Sequence, residues 1–391
     1  MSDPMDSPAF HALARDCRWF RPERPCLPHK LRGKVCEGCD EYDPIDMRVA
    51  IVKLGAVGDV LRTTAFLPGL RRRYPNASVS WLTRPEAAPL FVGNEFVDEL
   101  HTTNDATLPE TMRCTPFDLV ICPDADHETA SLATGLRLRE GGRRIGYGLD
   151  GDGRVEPLSE SALAWLLMGV SDARKKANTK TYQTMLGEIF ELPLPIEDRP
   201  MLALSDTEVE TARRWLATAT ANKSWRTLVG INTGAGGRWP RKQWTLGGQI
   251  GLITALAADG DLTVLLGGSE ERQRHAELCA ACPDACIDAG NDNGLREFAA
   301  RLGLCDALVT GDTMALHLGC ALGKPTIALF GPTSSAEIDL YGRGSKVFAE
   351  GLDCLVCYGT CDREPSCQDL ISVDMVREAL APWLAAASNK A

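Results

Sequence analysis

The chain has 391 residues, 44% of them hydrophobic and 24% charged, with a formal net charge of −11. That length predicts two globular domains of roughly 150 residues each, and the acidic balance excludes a general nucleic-acid binder, which neutralises phosphates with many Lys and Arg. No apolar run approaches the roughly eighteen residues of a membrane span, and MSDPMDSPAFHALARDC lacks the basic start and apolar stretch of a signal peptide, so a cytoplasmic protein is expected.

Residues 1–46 show no sustained periodicity. With their prolines, charges and Cys17, Cys26, Cys36 and Cys39 they read as a Cys-rich extension. From Arg48 short apolar runs alternate with amphipathic stretches. RVAIVKL (48–54), SVSWLT (78–83) and FDLVICP (117–123) predict buried strands, and DVLRTTAFLPGLRRRYP (59–75) predicts a helix between the first two. This is the βαβ rhythm of a parallel sheet. PLPIEDRP (193–200) has the proline density of an interdomain linker, after which the rhythm restarts with TLVGINTGA (227–235), LTVLLGG (262–268), ALVTGD (307–312) and PTIALFG (325–331). The expectation is an α/β protein with two domains, 47–195 and 196–371, whose parallel sheets face a cleft. A final amphipathic helix within 372–391 is expected to pack back on the first domain. The basic clusters at 70–74, 141–148 and 172–180 read as solvated helix ends and loops; the alternative is a rim that draws an anionic substrate or lipid headgroup.

Ligands of doubly wound sheets bind at the carboxyl ends of strands, and three motifs fall there. GAVGD (55–59) follows the first strand, yet it lacks the third glycine and the distant acidic residue of a dinucleotide fingerprint. Gly58 permits a tight turn, and Asp59 reads as a helix cap, a phosphate neighbour or a catalytic base. NTGAGGRWPRKQW (232–244) joins a glycine-rich turn holding Thr233 to Arg238, Arg241 and Lys242, the backbone amides and cations that a diphosphate needs. GDTMALHLGCALGKPTIALFGPTSS (311–335) opens a helix at Asp312 and Thr313, places His317 one turn on, and ends in a second glycine turn with Gly331 and Thr333. A lone histidine in an apolar helix is by itself more often a core residue.

In order and spacing these three motifs resemble glycosyltransferase family 9, typified by the ADP-heptose:lipopolysaccharide heptosyltransferases, over about residues 47–385. The resemblance implies a GT-B fold of two Rossmann-like domains, a nucleotide-sugar donor such as ADP-heptose bound mainly by the second, and transfer with inversion that needs no metal. It makes Asp59 the catalytic aspartate and Lys242 the donor-diphosphate lysine, with Trp244 in the same motif. Asp312, Thr313 and His317 lie beside the donor, and Phe330, Gly331, Pro332 and Thr333 form its last turn; Gly58 and Thr233 belong to the same donor site. Met314, Thr245 and Ser335 depart from the family pattern without removing a charged group. The acceptor implied is an envelope glycan or glycolipid such as lipopolysaccharide core, with peripheral contact at the inner face of the cytoplasmic membrane; a protein acceptor is the alternative.

Fifteen cysteines are many for a reducing compartment, where grouping favours metal over disulfides. Cys354, Cys357, Cys361 and Cys367 are compact enough to surround one tetrahedral ion. They resemble the C-terminal cysteine-bound iron of related autotransporter heptosyltransferases, and zinc fits the same ligands. Cys17, Cys26, Cys36 and Cys39 form a looser set with His29 as a substitute. Both read as structural centres. The other seven, Cys114, Cys122, Cys279, Cys282, Cys286, Cys305 and Cys320, read as small core residues. Eight terminal cysteines also admit a second reading, a non-catalytic metal- or redox-sensing protein on a GT-B scaffold.

Overall fold

The structure is a computed structural model that describes residues 5, 7–106, 108–193, 195, 197–221, 223–235, 240–359, 361 and 363–388. Arg238 lies outside the described residues. The chain forms two compact units: Met1–Lys53, Leu67–Thr83 and Glu95–Glu156 make the first, and Leu54–Phe66, Arg84–Asn94 and Pro157–Ala391 the second.

The first unit is built on a six-stranded sheet of β1 (Met47–Val52), β2 (Ala77–Thr83), β3 (Glu99–Thr102), β4 (Phe117–Cys122), β5 (Leu138–Leu149) and β6 (Val155–Pro157), in the order β3-β2-β1-β4-β5-β6. β1 pairs in parallel with both β2 and β4, so the strand order reverses on either side of the first strand. All seven positions of β2 are buried, as expected of a parallel strand covered on both faces. The basic stretch 141–148, read above as a solvated loop, is part of β5. Its Arg144 donates to the carbonyls of Ala133, Thr134 and Leu136 at 2.9–3.2 Å, satisfying the end of helix His127–Gly135.

The second unit repeats the plan with β7 (Leu228–Asn232), β8 (Leu262–Leu266), β9 (Cys286–Asp288), β10 (Ala307–Gly311), β11 (Thr326–Phe330) and β12 (Gly344–Phe348), ordered β12-β11-β10-β7-β8-β9 and parallel throughout. Here β7 is the first strand, and the order reverses between β7 and β10. Helix Leu246–Ala258 packs on this sheet through Leu252, Ile253 and Leu256.

The final helix, Val373–Ser388, buries Val376, Leu380 and Leu384 in the core of the second unit, beside β12 and helix Leu246–Ala258. Residues four apart share one helix face, and that face is filled here by the second sheet. Trp244 fixes the same corner, buried with its indole N–H donating to the Ile371 carbonyl at 3.0 Å. Of the seven cysteines assigned to cores, Cys122, Cys282, Cys286, Cys305 and Cys320 are buried, Cys279 is half-buried and Cys114 is exposed.

Candidate functional site

The second unit contains a pocket of about 770 Å³ at the carboxyl ends of β7 and β10. The loops after β1, β7, β10 and β11 line it, with helices Val57–Thr63 and Met314–Ala321. The turn after β1 enters this unit at Leu54 and starts helix Val57–Thr63, with Asp59 in its first turn. The β10 end delivers Asp312 and Thr313, and the Thr313 hydroxyl caps helix Met314–Ala321 by accepting from the Ala315 N–H at 3.2 Å. Asn232, at the end of β7, donates to the Gly234 carbonyl and to the Thr310 and Thr313 hydroxyls at 3.1–3.2 Å, joining the loops after β7 and β10. The turn after β11 brings Thr333 and Ser334.

Gly58, Asp59, Lys242, Asp312, Thr313, His317 and Thr333 all line this pocket. Gly58 serves close packing as well: a Cβ there would meet the His317 ring carbon at 2.8 Å, so only glycine lets helices Val57–Thr63 and Met314–Ala321 approach this closely. Thr233 and Gly331 support the pocket from behind. The Thr233 hydroxyl is engaged with His275 Nε2 at 2.9 Å, while a Cβ on Gly331 would collide with the Cys367 sulfur. Arg241 stands 3.5 Å from Glu364. Thr245, a departure from the family pattern, caps helix Leu246–Ala258 by accepting from the Gly248 N–H at 3.0 Å.

The charges interlock. The Lys242 ammonium donates to the Asp312 carboxylate and to the Asp312 carbonyl, both at 3.0 Å. Burial disfavours the Asp312 charge, but Lys242, His317 and Arg62 overcome it and hold the carboxyl below its usual range. Burial, helped by Arg62 and Lys242, pushes the His317 imidazole well below its ordinary value against the pull of Asp312 and Asp59, so it is neutral at physiological pH. Thr333 lines the pocket, and its Oγ1 is buried without a hydrogen-bond partner among the described residues.

Sequence reasoning missed Arg62, Tyr182, Glu337 and Tyr358. Arg62 pairs with Asp59 at 2.7 Å and lies 3.3 Å from the centre of the Tyr182 ring. Burial works against its charge, and Asp59, Tyr182, Asp312 and Glu337 outweigh that and raise it further above the usual guanidinium value. Its place three residues after Asp59 on one helix was the available signal. Tyr358 donates to Glu337 at 3.1 Å and accepts from the Ser334 N–H at 3.2 Å. Burial pushes the Glu337 carboxyl up. Arg62 is therefore the cation that holds the Asp59 carboxylate in place. Arg62→Gln is expected to lower kcat about tenfold or more and to move the acid limb of the pH profile upward, because Asp59 loses a charge that favours its ionised form. An unmoved acid limb in a pH–rate profile would contradict this role.

The C-terminal cysteines border the same region. The Val356 and Tyr358 N–H groups donate to the Gly331 and Pro332 carbonyls at 3.1 and 2.9 Å, stitching residues 356–358 to the turn after β11. Burial pushes the Cys367 thiol up, and the neighbouring Cys357, Cys361 and Cys354 push it further. All fifteen cysteines are free thiols, and among the described residues no three His, Cys, Asp or Glu side chains converge on one metal position. Among the same residues, no helix is long and apolar enough to cross a membrane.

Comparison with known proteins gives a consistent family. The model of glycosyltransferase family 9 (heptosyltransferase) matches residues 113–367. The chain is 24% identical over 356 residues to lipopolysaccharide heptosyltransferase 1 of Pseudomonas aeruginosa, covering 85% of this chain and 92% of that protein. The structure of the Escherichia coli ADP-heptose lipopolysaccharide heptosyltransferase II superposes with a TM-score of 0.62 at 21% identity, covering 88% of this chain and 100% of that one. The iron-containing dodecameric glycosyltransferase TibC from enterotoxigenic E. coli superposes with a TM-score of 0.53 at 13% identity, covering 91% and 81%. The structural likenesses show the fold, two Rossmann-like halves of GT-B type.

Proposed function

The chain belongs to glycosyltransferase family 9, and on that footing we propose that this glycosyltransferase moves a heptose from ADP-heptose to a cell-envelope glycolipid, the lipopolysaccharide core, with inversion at the anomeric carbon. The observation that carries this reading is the meeting of Asp59 and Arg62 with Lys242, Asp312 and Thr333 in one pocket. The acceptor hydroxyl oxygen attacks the anomeric carbon while the bond from that carbon to the diphosphate oxygen breaks. The hydroxyl proton passes to the Asp59 carboxylate, and ADP leaves with the bonding pair. Such a transfer needs a base on one reactant and positive charge on the other. Asp59, held by Arg62, supplies the first; Lys242, the Thr333 hydroxyl and the amides at the start of helix Met314–Ala321 supply the second. His317, neutral and packed against Gly58, sets the spacing between the two helices.

The relatives named above act on lipopolysaccharide or ADP-heptose, which supports both the donor and the acceptor class. Peripheral attachment at the inner membrane face follows from a lipid-borne acceptor. Cys354, Cys357, Cys361 and Cys367 would hold a zinc or iron ion, a reading supported by their spacing in the sequence and by the iron of the TibC structure. Four thiolates close the coordination sphere, so the ion supplies structure rather than an open catalytic position. What it would stabilise is the loop that presents Tyr358 to Glu337.

ADP is expected to raise the melting temperature of the protein measurably at concentrations well above its Kd, because a ligand of the folded state stabilises it by mass action. UDP and GDP at the same concentrations are expected to shift it less. Equal shifts for all three in a thermal-melt screen would remove ADP-heptose as the donor.

A further inference from the structure

A chamber in the first unit lies outside the pocket just described. It has a volume of about 1170 Å³, and Cys17, Cys26, Cys36, Cys39 and His29 all line it. We propose that these four cysteines bind a metal ion of their own, zinc or iron held by thiolates, and that this centre folds the N-terminal extension.

The first argument is energetic. Among the described residues from 7 to 46 only Pro28 is buried, while Leu13, Trp19, Leu27, Leu31 and Val35 are exposed. A segment of this size that buries so little apolar surface lacks the means to offset its chain entropy and needs a staple. No disulfide supplies one, since the cysteines are free thiols.

The second argument is local geometry. Cys36 and Cys39 close a turn in which the Cys39 N–H donates to the Cys36 carbonyl at 3.3 Å and Gly38 takes φ +69°, a left-handed conformation that glycine accepts without strain. Cys26 immediately precedes helix Leu27–Arg32. Cys17 forms an isolated antiparallel bridge with Pro44, which returns the start of the extension to the chain just beyond Cys39. Spacing that is loose in sequence is thereby folded around one chamber.

The third argument is chemical. Four thiolates around a divalent ion leave net negative charge, and the same chamber is lined by Arg15, Arg21, Arg24 and Lys34 against Glu37 and Glu41, with Lys34 paired to Asp40 at 2.7 Å. His29 Nδ1 lies 2.7 Å from the Lys34 carbonyl. A carbonyl only accepts, so Nδ1 carries a proton, which leaves Nε2 as the ring atom that could ligate a metal. No three of these groups yet converge on one point; binding would draw the chamber walls together, as in small domains whose ligands meet only on the ion. The extension is already tied to the sheet edge by Arg18, which reaches Asp43 at 3.0 Å, Asp98 at 2.5 Å and the Ala77 carbonyl at 3.1 Å.

Elemental analysis of the full chain tests the proposal. Cys36→Ser/Cys39→Ser is expected to lose about one equivalent of zinc or iron per chain relative to wild type, and Cys354→Ser/Cys357→Ser is expected to keep that equivalent. Should the first variant fold poorly, the wild-type chain decides: chelator should expose residues 7–46 to protease. Metal content unchanged in the first variant, or an extension as protease-resistant with chelator as without, would overturn the proposal.

Discussion

Asp59→Asn is expected to lower turnover about a hundredfold or more while leaving ADP affinity within about twofold. The amide is nearly isosteric with the carboxylate, so helix Val57–Thr63 keeps its shape, and the Thr63 hydroxyl still donates to the Asp59 carbonyl, a backbone contact of 2.7 Å. What is lost is the acceptor for the proton released from the attacking hydroxyl, and with it the ion pair to Arg62. An amide cannot take up that proton near neutral pH. The loss should fall on kcat with little change in the donor KM, since the proton moves only as the new bond forms. Single-turnover kinetics with saturating ADP-heptose separate this from a binding defect. Turnover within a few-fold of wild type would return Asp59 to the role of a helix-terminal carboxylate.

Lys242→Ala carries the second large effect and tests the opposite side of the pocket. Removing the ammonium takes away the charge facing the departing diphosphate and leaves the buried Asp312 carboxylate without its closest cation. ADP binding should weaken about tenfold or more, and transfer should slow further, because negative charge on the leaving group grows toward the transition state. Lys242→Arg should recover part of the affinity only, as a planar fork does not reproduce a compact ammonium that donates to two oxygens of Asp312. Lys242→Ala/Asp312→Asn removes both charges and should restore stability without restoring transfer. Calorimetric titration with ADP reads the binding loss; unchanged affinity in Lys242→Ala would place the diphosphate elsewhere.

Periodicity showed the central strands because they are buried on both faces and carry unbroken apolar runs, as in MRVAIV of β1 and LTVLL of β8. It did not show the short strands β3, β9 and β12, whose partly exposed positions carry no such run. It also misread β5, whose Arg144 is spent on capping the neighbouring helix. The final helix displayed its apolar face, but a face does not say which core will cover it. In the site, the pocket-lining residues on glycine turns were legible because glycine, a carboxylate and a helix start are adjacent in the chain. Glu337, Tyr358 and Tyr182 were not, since only tertiary structure brings them to Arg62 and Ser334. Gly58 was legible as a turn, whereas its closeness to His317 is a property of two helices packed together.

The most direct measurement is the anomeric configuration of the product. Purified protein, ADP-heptose of known configuration and a heptose-free lipopolysaccharide core are combined, and the new linkage is read by nuclear magnetic resonance. The mechanism through Asp59 and Lys242 predicts one equivalent of ADP released per linkage formed, with the anomeric centre inverted and the reaction abolished by omission of acceptor. A product with retained configuration, or donor consumed without any new glycosidic linkage, would contradict it.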